Sequence, residues 1–242
     1  LVIYGISIFG EFVQDDLKVV ASDPEMGSAG ALLATFSRPY YYMDEGNPGI
    51  YRPLTSFSLY LNALITGKEA WGFRLGNVLL YAAVCWLIGE VLAKLKVKRA
   101  WIWALVFAVL PVHAEAVNNI VGRAEIISLG LVLLAALAQM NRRWELSALV
   151  FLLALLAKET AIVGLAILLY LLWIGKTEKE IKMGVSVFYV LVLGSYFVLR
   201  LMVLGTGSMG NEATMVENPL KFVGSNQRMM NAFALVPFGL SK

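Results

Sequence analysis

Charge and cysteine are both scarce in this sequence. Only 15% of its 242 residues are Asp, Glu, Lys or Arg, whereas soluble domains average about 25%. The single cysteine, Cys85, excludes an intrachain disulfide. The net charge of +3 is not gathered into the continuous basic patch that nucleic-acid binding favours. Apolar residues are abundant instead, at 59% with a mean hydropathy of +0.72, which is typical of an integral membrane protein.

Apolar runs recur along the chain at lengths that suit membrane helices. They cover residues 71–93, 100–112, 120–140, 144–157, 159–174 and 182–204, with a partial run near 229–240. The chain also opens at Leu1 inside an apolar run of about ten residues and closes inside another. We therefore expect a fragment at both ends, and a single all-α transmembrane domain over 1–242 with about seven or eight spans.

The basic residues predict which side of the membrane each loop faces. Residues 144–174 are too long for one span of about 20 residues, and a turn at Lys158 divides them into two. All basic clusters then share one side, which the positive-inside rule makes cytoplasmic: Lys94, Lys96, Lys98 and Arg99; Arg142 and Arg143; and Lys176, Lys179 and Lys182. The extracytoplasmic side then holds residues 11–70, the loop around 113–123, the turn at Lys158 and residues 205–228. Because the helices on either side of Lys158 are short, we expect it to lie below the outer membrane surface.

Four polar motifs fall on that extracytoplasmic side. They are EFVQDD at 11–16, YRPLTS at 51–56, PVHAEAVNNIVGRAE at 111–125 and AKET at 157–160. In this order they resemble the motifs of the transmembrane and tetratricopeptide-repeat O-mannosyltransferase family, a part of the GT-C superfamily of integral-membrane glycosyltransferases. The stretch ENP at 217–219, followed by Arg228 and Asn231, is similar to a later loop of that family. The resemblance covers nearly the whole chain, although the sequence contains no tetratricopeptide repeats.

The resemblance implies a fold, a reaction and a donor. The fold is a GT-C-like helical bundle whose large first extracytoplasmic loop, residues 11–70, carries short interfacial helices, for which 27–36 and 54–64 are the candidates. The reaction moves a sugar, mannose in the characterised members, from a polyprenyl phosphate to a Ser or Thr hydroxyl of an exported protein. The membrane is the plasma membrane of a prokaryote or that of the endoplasmic reticulum.

Such a reaction needs a base for the acceptor hydroxyl and cations for the leaving phosphate. Asp15 or Asp16 is the expected base, and the sequence leaves open which of the two, since adjacent side chains point in different directions. The expected phosphate and substrate contacts are Arg52, His113, Glu115, Arg123, Glu125, Lys158 and Glu159. A divalent metal ion is optional across the superfamily, and its candidate ligands are Asp16, His113 and Glu115.

Each of these residues also has a structural interpretation. The acidic pair is typical of a helix cap, and the charges within 123–125 and 158–159 are typical of internal ion pairs. The tyrosines suit an aromatic belt at the membrane interface, namely Tyr40, Tyr41, Tyr42 and Tyr51. The alternative functions are a GT-C transferase with a glycan or lipid acceptor, a secondary transporter and a non-catalytic assembly subunit. Transporters place ionisable groups near the bilayer midplane, whereas these groups gather toward one face.

Overall fold

A computed structural model describes residues 4–13, 15–41, 49–175 and 178–205, together with residues 224, 226–227 and 230. The chain divides into two compact units, 1–208 and 209–242, and all of the helices named below lie in the first. Several predicted features lie outside the described residues: Tyr42, Lys176, the ENP stretch at 217–219, Arg228 and Asn231, and most of the run near 229–240.

All of the regular secondary structure in the described part of the first unit is helical. It contains the α-helices α1 (Pro53–Thr66), α2 (Ala70–Lys94), α3 (Ala100–Val109), α4 (Ala114–Asn118), α5 (Arg123–Met140), α6 (Trp144–Ala157), α7 (Ile162–Ile174) and α8 (Lys179–Leu204). Short 3₁₀ turns connect or precede them at Gly5–Phe9, Leu33–Ser37, Pro111–His113, Ile120–Gly122 and Glu159–Ala161, and Leu17–Ala21 forms a π turn. No strand occurs among these residues.

Three helices of the described chain are long and apolar enough to cross a membrane: Ala70–Lys94, Ile120–Met140 and Lys179–Leu204. Ala100–Val109 and Pro111–Asn118, bent by 57°, form a fourth if they count as one broken span, while Trp144–Ala157 and Glu159–Ile174 are shorter. The all-helical architecture of the described residues is confirmed, with three or four helices that are candidates for membrane spans. The total of seven or eight spans stays a prediction.

The predicted turn at Lys158 is present. α6 ends at Ala157, Lys158 is extended with φ −158° and ψ 137°, and α7 begins at Ile162 after one 3₁₀ turn. The break after α3 has a similar local cause, because Leu110 precedes Pro111 and adopts the extended conformation that proline imposes on its neighbour. These two breaks bring polar residues to the same end of the bundle.

The core lies between the long helices. α5 packs against α6 and α2, and α6 packs against α8, around fully buried side chains that include Phe151, Leu155, Leu168 and Tyr189. Outside this core, α3 and α8 keep large apolar side chains exposed, among them Trp101, Trp103, Leu105, Val190, Leu191 and Met202. Exposed apolar faces of this kind suit contact with lipid.

Of the two segments predicted to be interfacial helices, only one forms an α-helix, and its place at the membrane interface stays a prediction. Residues 54–64 fall within α1, which buries Leu59, Tyr60 and Ala63 against the loop that precedes it. Residues 27–36 instead form turns that end in the 3₁₀ segment Leu33–Ser37. The predicted α-helix over 27–36 is not present: Gly27 has φ +86°, a left-handed conformation that excludes it from an α-helix, and the residues after it form turns and a 3₁₀ segment.

Candidate functional site

A cavity of about 690 Å³ lies where α5 begins and where α6 meets α7. All four sequence motifs contribute polar side chains to its lining, namely Asp15, Arg52, His113, Glu115, Asn119, Glu125, Lys158 and Thr160, and Tyr41 and Ser128 from outside the motifs add two more. One wall is apolar and is formed by α5 and α7, with Leu129, Val132, Val163 and Ile167. The volume falls in the range of small-molecule sites, about 300–1,000 Å³. The motifs thus converge on one cavity.

The two adjacent carboxylates have different surroundings. Asp15 is exposed and lines the cavity, and its Oδ2 accepts a hydrogen bond of 3.1 Å from the Tyr41 hydroxyl. Asp16 is fully buried, and its Oδ1 accepts a hydrogen bond of 3.0 Å from the Val121 backbone N–H. Burial raises the pKa of Asp16, while the backbone N–H groups of Val121 and Val13 act in the opposite direction. Asp15 is therefore the carboxylate that a ligand in the cavity would meet.

Asp16 positions the start of a membrane-length helix. Val121 lies in the first turn of the continuous helical stretch Ile120–Met140, and its N–H would have no partner within that helix. The Asp16 carboxylate supplies the missing acceptor from 105 residues away. A negative charge there is also favoured by the helix macrodipole. This hydrogen bond therefore connects the acidic motif at 11–16 to the third motif at 111–125.

Arg52 forms an ion pair with Glu159 that joins the second and fourth motifs. Its Nε and one terminal nitrogen donate to the two carboxylate oxygens of Glu159 at 3.0 and 2.6 Å, a bidentate geometry. Next to this pair, the hydroxyl of Thr55 donates a buried 2.8 Å hydrogen bond to the carbonyl of Ala157. The Arg52 guanidinium also lies 5.4 Å from the ring centroid of Tyr40. These contacts hold Arg52 at the rim of the cavity.

Lys158 does not form an ion pair with Glu159, its neighbour in sequence. Its Nζ contacts Oε1 of Glu125, on the first turn of α5, while the adjacent Glu159 binds Arg52. The extended backbone at Lys158 sends the two neighbouring side chains in opposite directions. The Lys158 side chain is 15% exposed and that of Glu125 is 50% exposed, so the pair lies at the cavity wall with its carboxylate toward solvent.

His113 and Glu115 both line the cavity. The His113 ring lies 4.1 Å from the ring of Phe107 and 5.8 Å from that of Tyr81, and its buried Nε2 has no hydrogen-bond partner within the described chain. The described residues contain no group of three or more His, Cys, Asp or Glu side chains placed to hold a metal ion. The metal candidates Asp16, His113 and Glu115 therefore do not assemble there, since Asp16 binds backbone N–H groups.

Arg123 is the predicted phosphate contact that the structure keeps away from the cavity. It is 2% exposed, and its guanidinium donates to amide and carbonyl oxygens of α1 and α2. The acceptors are Asn77 Oδ1, Asn62 Oδ1 and the Phe73 carbonyl, each at 2.7 Å, and the Ser58 carbonyl at 3.1 Å. Its proximity to Glu125 in sequence does not produce an ion pair, because Glu125 binds Lys158. Arg123 joins α5 to α1 and α2.

The sequence does not assign four polar cavity residues to the site: Tyr41, Asn119, Ser128 and Thr160. Tyr41 was assigned to an aromatic belt, yet its hydroxyl reaches Asp15. Asn119 and Thr160 line the cavity from within motifs that were recognised for their charged members. The place of Asn119 and Thr160 in those motifs is the available signal, whereas Tyr41 and Ser128 lie outside every motif. Neutral polar side chains are common, so composition alone does not distinguish these four.

The chain is similar to several curated proteins. It is 35% identical to Protein O-mannosyl-transferase Tmtc1 of Drosophila melanogaster over 68% of this chain and 20% of that protein. It is 37% identical to Protein O-mannosyl-transferase TMTC1 of Mus musculus over 56% of this chain and 15% of the relative. It is 27% identical to Protein O-mannosyl-transferase F38B6.6 of Caenorhabditis elegans over 92% of this chain and 33% of the relative.

The chain thus spans no more than about a third of the length of these relatives. No family model matches it, and no solved structure matches it. The family resemblance of the four motifs nevertheless agrees with the names of the relatives. By sequence, the chain is a homologue of the TMTC-family protein O-mannosyl-transferases.

Proposed function

We propose that this chain transfers a sugar, expected to be mannose, from a polyprenyl-phosphate donor to a Ser or Thr hydroxyl of an exported protein. The cavity at the start of α5 is the proposed active site and faces the extracytoplasmic side. The observation that supports this most is that one cavity combines an exposed carboxylate, two cations and an apolar wall. The names of the relatives supply the sugar and the class of acceptor.

Asp15 is the proposed base. The acceptor oxygen attacks the anomeric carbon of the sugar, and Asp15 takes the proton that the hydroxyl loses. The bond between the anomeric carbon and the phosphate oxygen breaks, and its electron pair leaves with the phosphate. The products are a glycosylated hydroxyl and a polyprenyl phosphate. The hydrogen bond from Tyr41 orients the Asp15 carboxylate toward the cavity.

Lys158 and Arg52 are the proposed contacts of the phosphate. Charge develops on the phosphate as the bond breaks, and fixed cations stabilise it. Arg52 is held by both oxygens of Glu159, so its remaining terminal nitrogen has a defined direction. Lys158 contacts Glu125, whose side chain is half exposed, and a bound phosphate would replace that carboxylate as the partner of the ammonium group.

The apolar wall suits the lipid part of the donor. Leu129 and Val132 on α5 face the same cavity as Val163 and Ile167 on α7. Close packing of the two helices below the charged groups is made possible by Gly164, where a Cβ atom would lie 2.7 Å from a methyl group of Val132. A polyprenyl chain placed along this wall would leave its phosphate beside Lys158.

Transfer of radiolabelled mannose from polyprenyl-phosphate mannose to the protein fraction of membranes that contain this chain tests the proposal. Asp15→Asn should lower the rate by at least about 100-fold, the usual contribution of a general base, with no change in the thermal unfolding midpoint. Glu25→Gln is the matched control, because Glu25 is an exposed carboxylate paired with Arg38 outside the cavity. Asp16→Asn should lower stability and activity together, since Asp16 binds the start of a helix.

The same assay separates the alternatives. Label in a lipid or glycan fraction rather than in protein would contradict the protein acceptor but keep the transferase chemistry. Full activity of Asp15→Asn would contradict the assignment of the base. Uptake of a solute into proteoliposomes without sugar transfer would favour a transporter instead.

A further inference from the structure

A second cavity, of about 530 Å³, lies at the other end of the same helices. α2 and α5 both run away from the candidate active site and end there, and α6 begins there. The lining includes the cationic side chains of Lys94, Lys96 and Arg142, and the described residues that line it include no Asp or Glu. We call this cavity the basic pocket.

The backbone places two of these cations in an unusual conformation. Lys96 has φ +60° just after α2, where its N–H donates to the Ala93 carbonyl at 2.9 Å and the next N–H, that of Val97, donates to the Leu92 carbonyl at 3.0 Å. α5 ends in the same way at Arg142, also with φ +60°, through bonds of 2.8 and 3.0 Å. Both are Schellman motifs, in which this left-handed position is usually glycine.

A side chain at such a position costs about 1 kcal/mol relative to glycine, because Cβ crowds the following carbonyl. The helix macrodipole favours cations near a C-terminus, but a lysine anywhere in the last turn would give that benefit without the left-handed strain. The positive-inside rule likewise depends on the number of basic residues in a loop, and it does not require them at any particular position of the loop. Two helices nevertheless carry a cation at the same strained position, and both cations line the basic pocket.

The remaining walls suit an amphiphilic ligand. Trp144 and the apolar side chains of Leu171 and Ile174 line the basic pocket beside the cations, and Ile174 is 56% exposed. The Lys94 ammonium donates a 2.5 Å hydrogen bond to Oδ1 of Asn141, which ties the end of α2 to the end of α5. Tryptophan is characteristic of the membrane interface, where lipid headgroups lie. The pocket thus presents cations on one side and an apolar surface on the other.

We propose that the basic pocket binds the phosphate group of an anionic membrane lipid. The phosphate oxygens accept hydrogen bonds from Lys96 and Arg142, and the acyl chains lie along Leu171 and Ile174. The ligand is recognised by a negative phosphate together with a hydrocarbon chain. This inference is independent of the proposed glycosyl transfer, since the two cavities lie at opposite ends of the bundle.

The test uses the whole purified protein in neutral detergent. Dioctanoyl phosphatidic acid, dioctanoyl phosphatidylcholine and inorganic phosphate are titrated separately while the thermal unfolding midpoint is recorded. Phosphatidic acid should raise the midpoint, and phosphatidylcholine and inorganic phosphate should not. In the double variant Lys96→Gly with Arg142→Gly, affinity for phosphatidic acid should fall about thirtyfold, since each cation near a membrane surface contributes about 1 kcal/mol.

Glycine at these positions relieves the left-handed strain, so the double variant should unfold at or above the wild-type temperature when no lipid is present. Arg99→Gly is the matched control, because Arg99 is a cation with φ +56° between α2 and α3 but does not line the pocket. It should bind phosphatidic acid as the wild type does. The pair Lys96→Gln and Arg142→Gln removes the charges without introducing glycine and should bind as weakly as the glycine pair.

Three results would overturn the proposal. One is equal affinity of the double variant and the wild type for phosphatidic acid. Another is equal stabilisation by phosphatidylcholine, which would show that net negative charge is irrelevant. The third is equal stabilisation by inorganic phosphate, which would show an anion site without a lipid.

Discussion

The two ends of the bundle use charge in opposite ways. At the start of α5, Arg52 and Lys158 each contact a carboxylate, and Arg123 is enclosed by amide and carbonyl oxygens. At the far end of α5, the described lining of the basic pocket carries cations and no carboxylate. The first end fixes its charged groups relative to one another, which a reaction centre needs. The second gathers positive charge beside an apolar surface.

Because of this difference, different features of the sequence predict the two ends of the bundle. Counting basic residues identifies the second end, because its charges act collectively across the membrane surface. It says nothing about the first end, where opposite charges balance. There the ordered motifs are informative, because each supplies one member of a pair whose partner is distant in sequence, as Arg52 and Glu159 are.

The comparison would break if both ends faced the same compartment. With Cys85 replaced by Ala, single cysteines at Val112 in the cavity and at Lys98 near the opposite end report their sides; both positions are exposed. Val112→Cys should react completely with a membrane-impermeant maleimide added outside the membrane, and Lys98→Cys only after permeabilisation. Labelling of both from one side would contradict the proposed orientation and with it the extracytoplasmic active site.

Removal of Arg123 should have the largest effect on stability. Arg123→Ala leaves the buried acceptors of Asn77 and Phe73 without this donor, each of which costs about 1–3 kcal/mol, and it also removes the part-buried bond to Asn62. We expect a loss of at least about 3 kcal/mol, measured as poor recovery of monodisperse protein and a lower unfolding midpoint. Arg142→Ala at the exposed end is the control and should change little. An Arg123→Ala protein that stays stable but loses sugar transfer would instead favour phosphate binding by Arg123.

A smaller difference in free energy should distinguish the ion pair at the cavity from an ion pair on the surface. A double-mutant cycle with Arg52→Ala and Glu159→Ala should give a coupling free energy of about 1–3 kcal/mol, because the pair is bidentate and partly buried. The same cycle on Arg38 and Glu25, a more exposed ion pair, should give less than about 1 kcal/mol. Equal couplings in thermal unfolding would show that the cavity does not hold its charges more firmly than the surface does.

Most of the helices were predictable from the sequence. The apolar runs at 71–93, 120–140 and 144–157 correspond closely to α2, α5 and α6, since an apolar helix in a membrane satisfies its backbone hydrogen bonds locally. The outer segment was less predictable, as the missing helix at 27–36 shows. Its folding depends on packing against α1 and α2, and glycine conformations that local pattern does not reveal decide its path.

Within the candidate site, residue types were predictable but partners were not. The sequence by itself determined that polar motifs would gather at one end of an apolar helical bundle, because burying charge in lipid is unfavourable. Only the tertiary structure decided that Asp15 faces the cavity while Asp16 binds Val121, and that Lys158 pairs with Glu125 instead of its neighbour. The reason is that a side chain's direction follows local backbone geometry, whereas its partner is brought to it by helices far away in the chain.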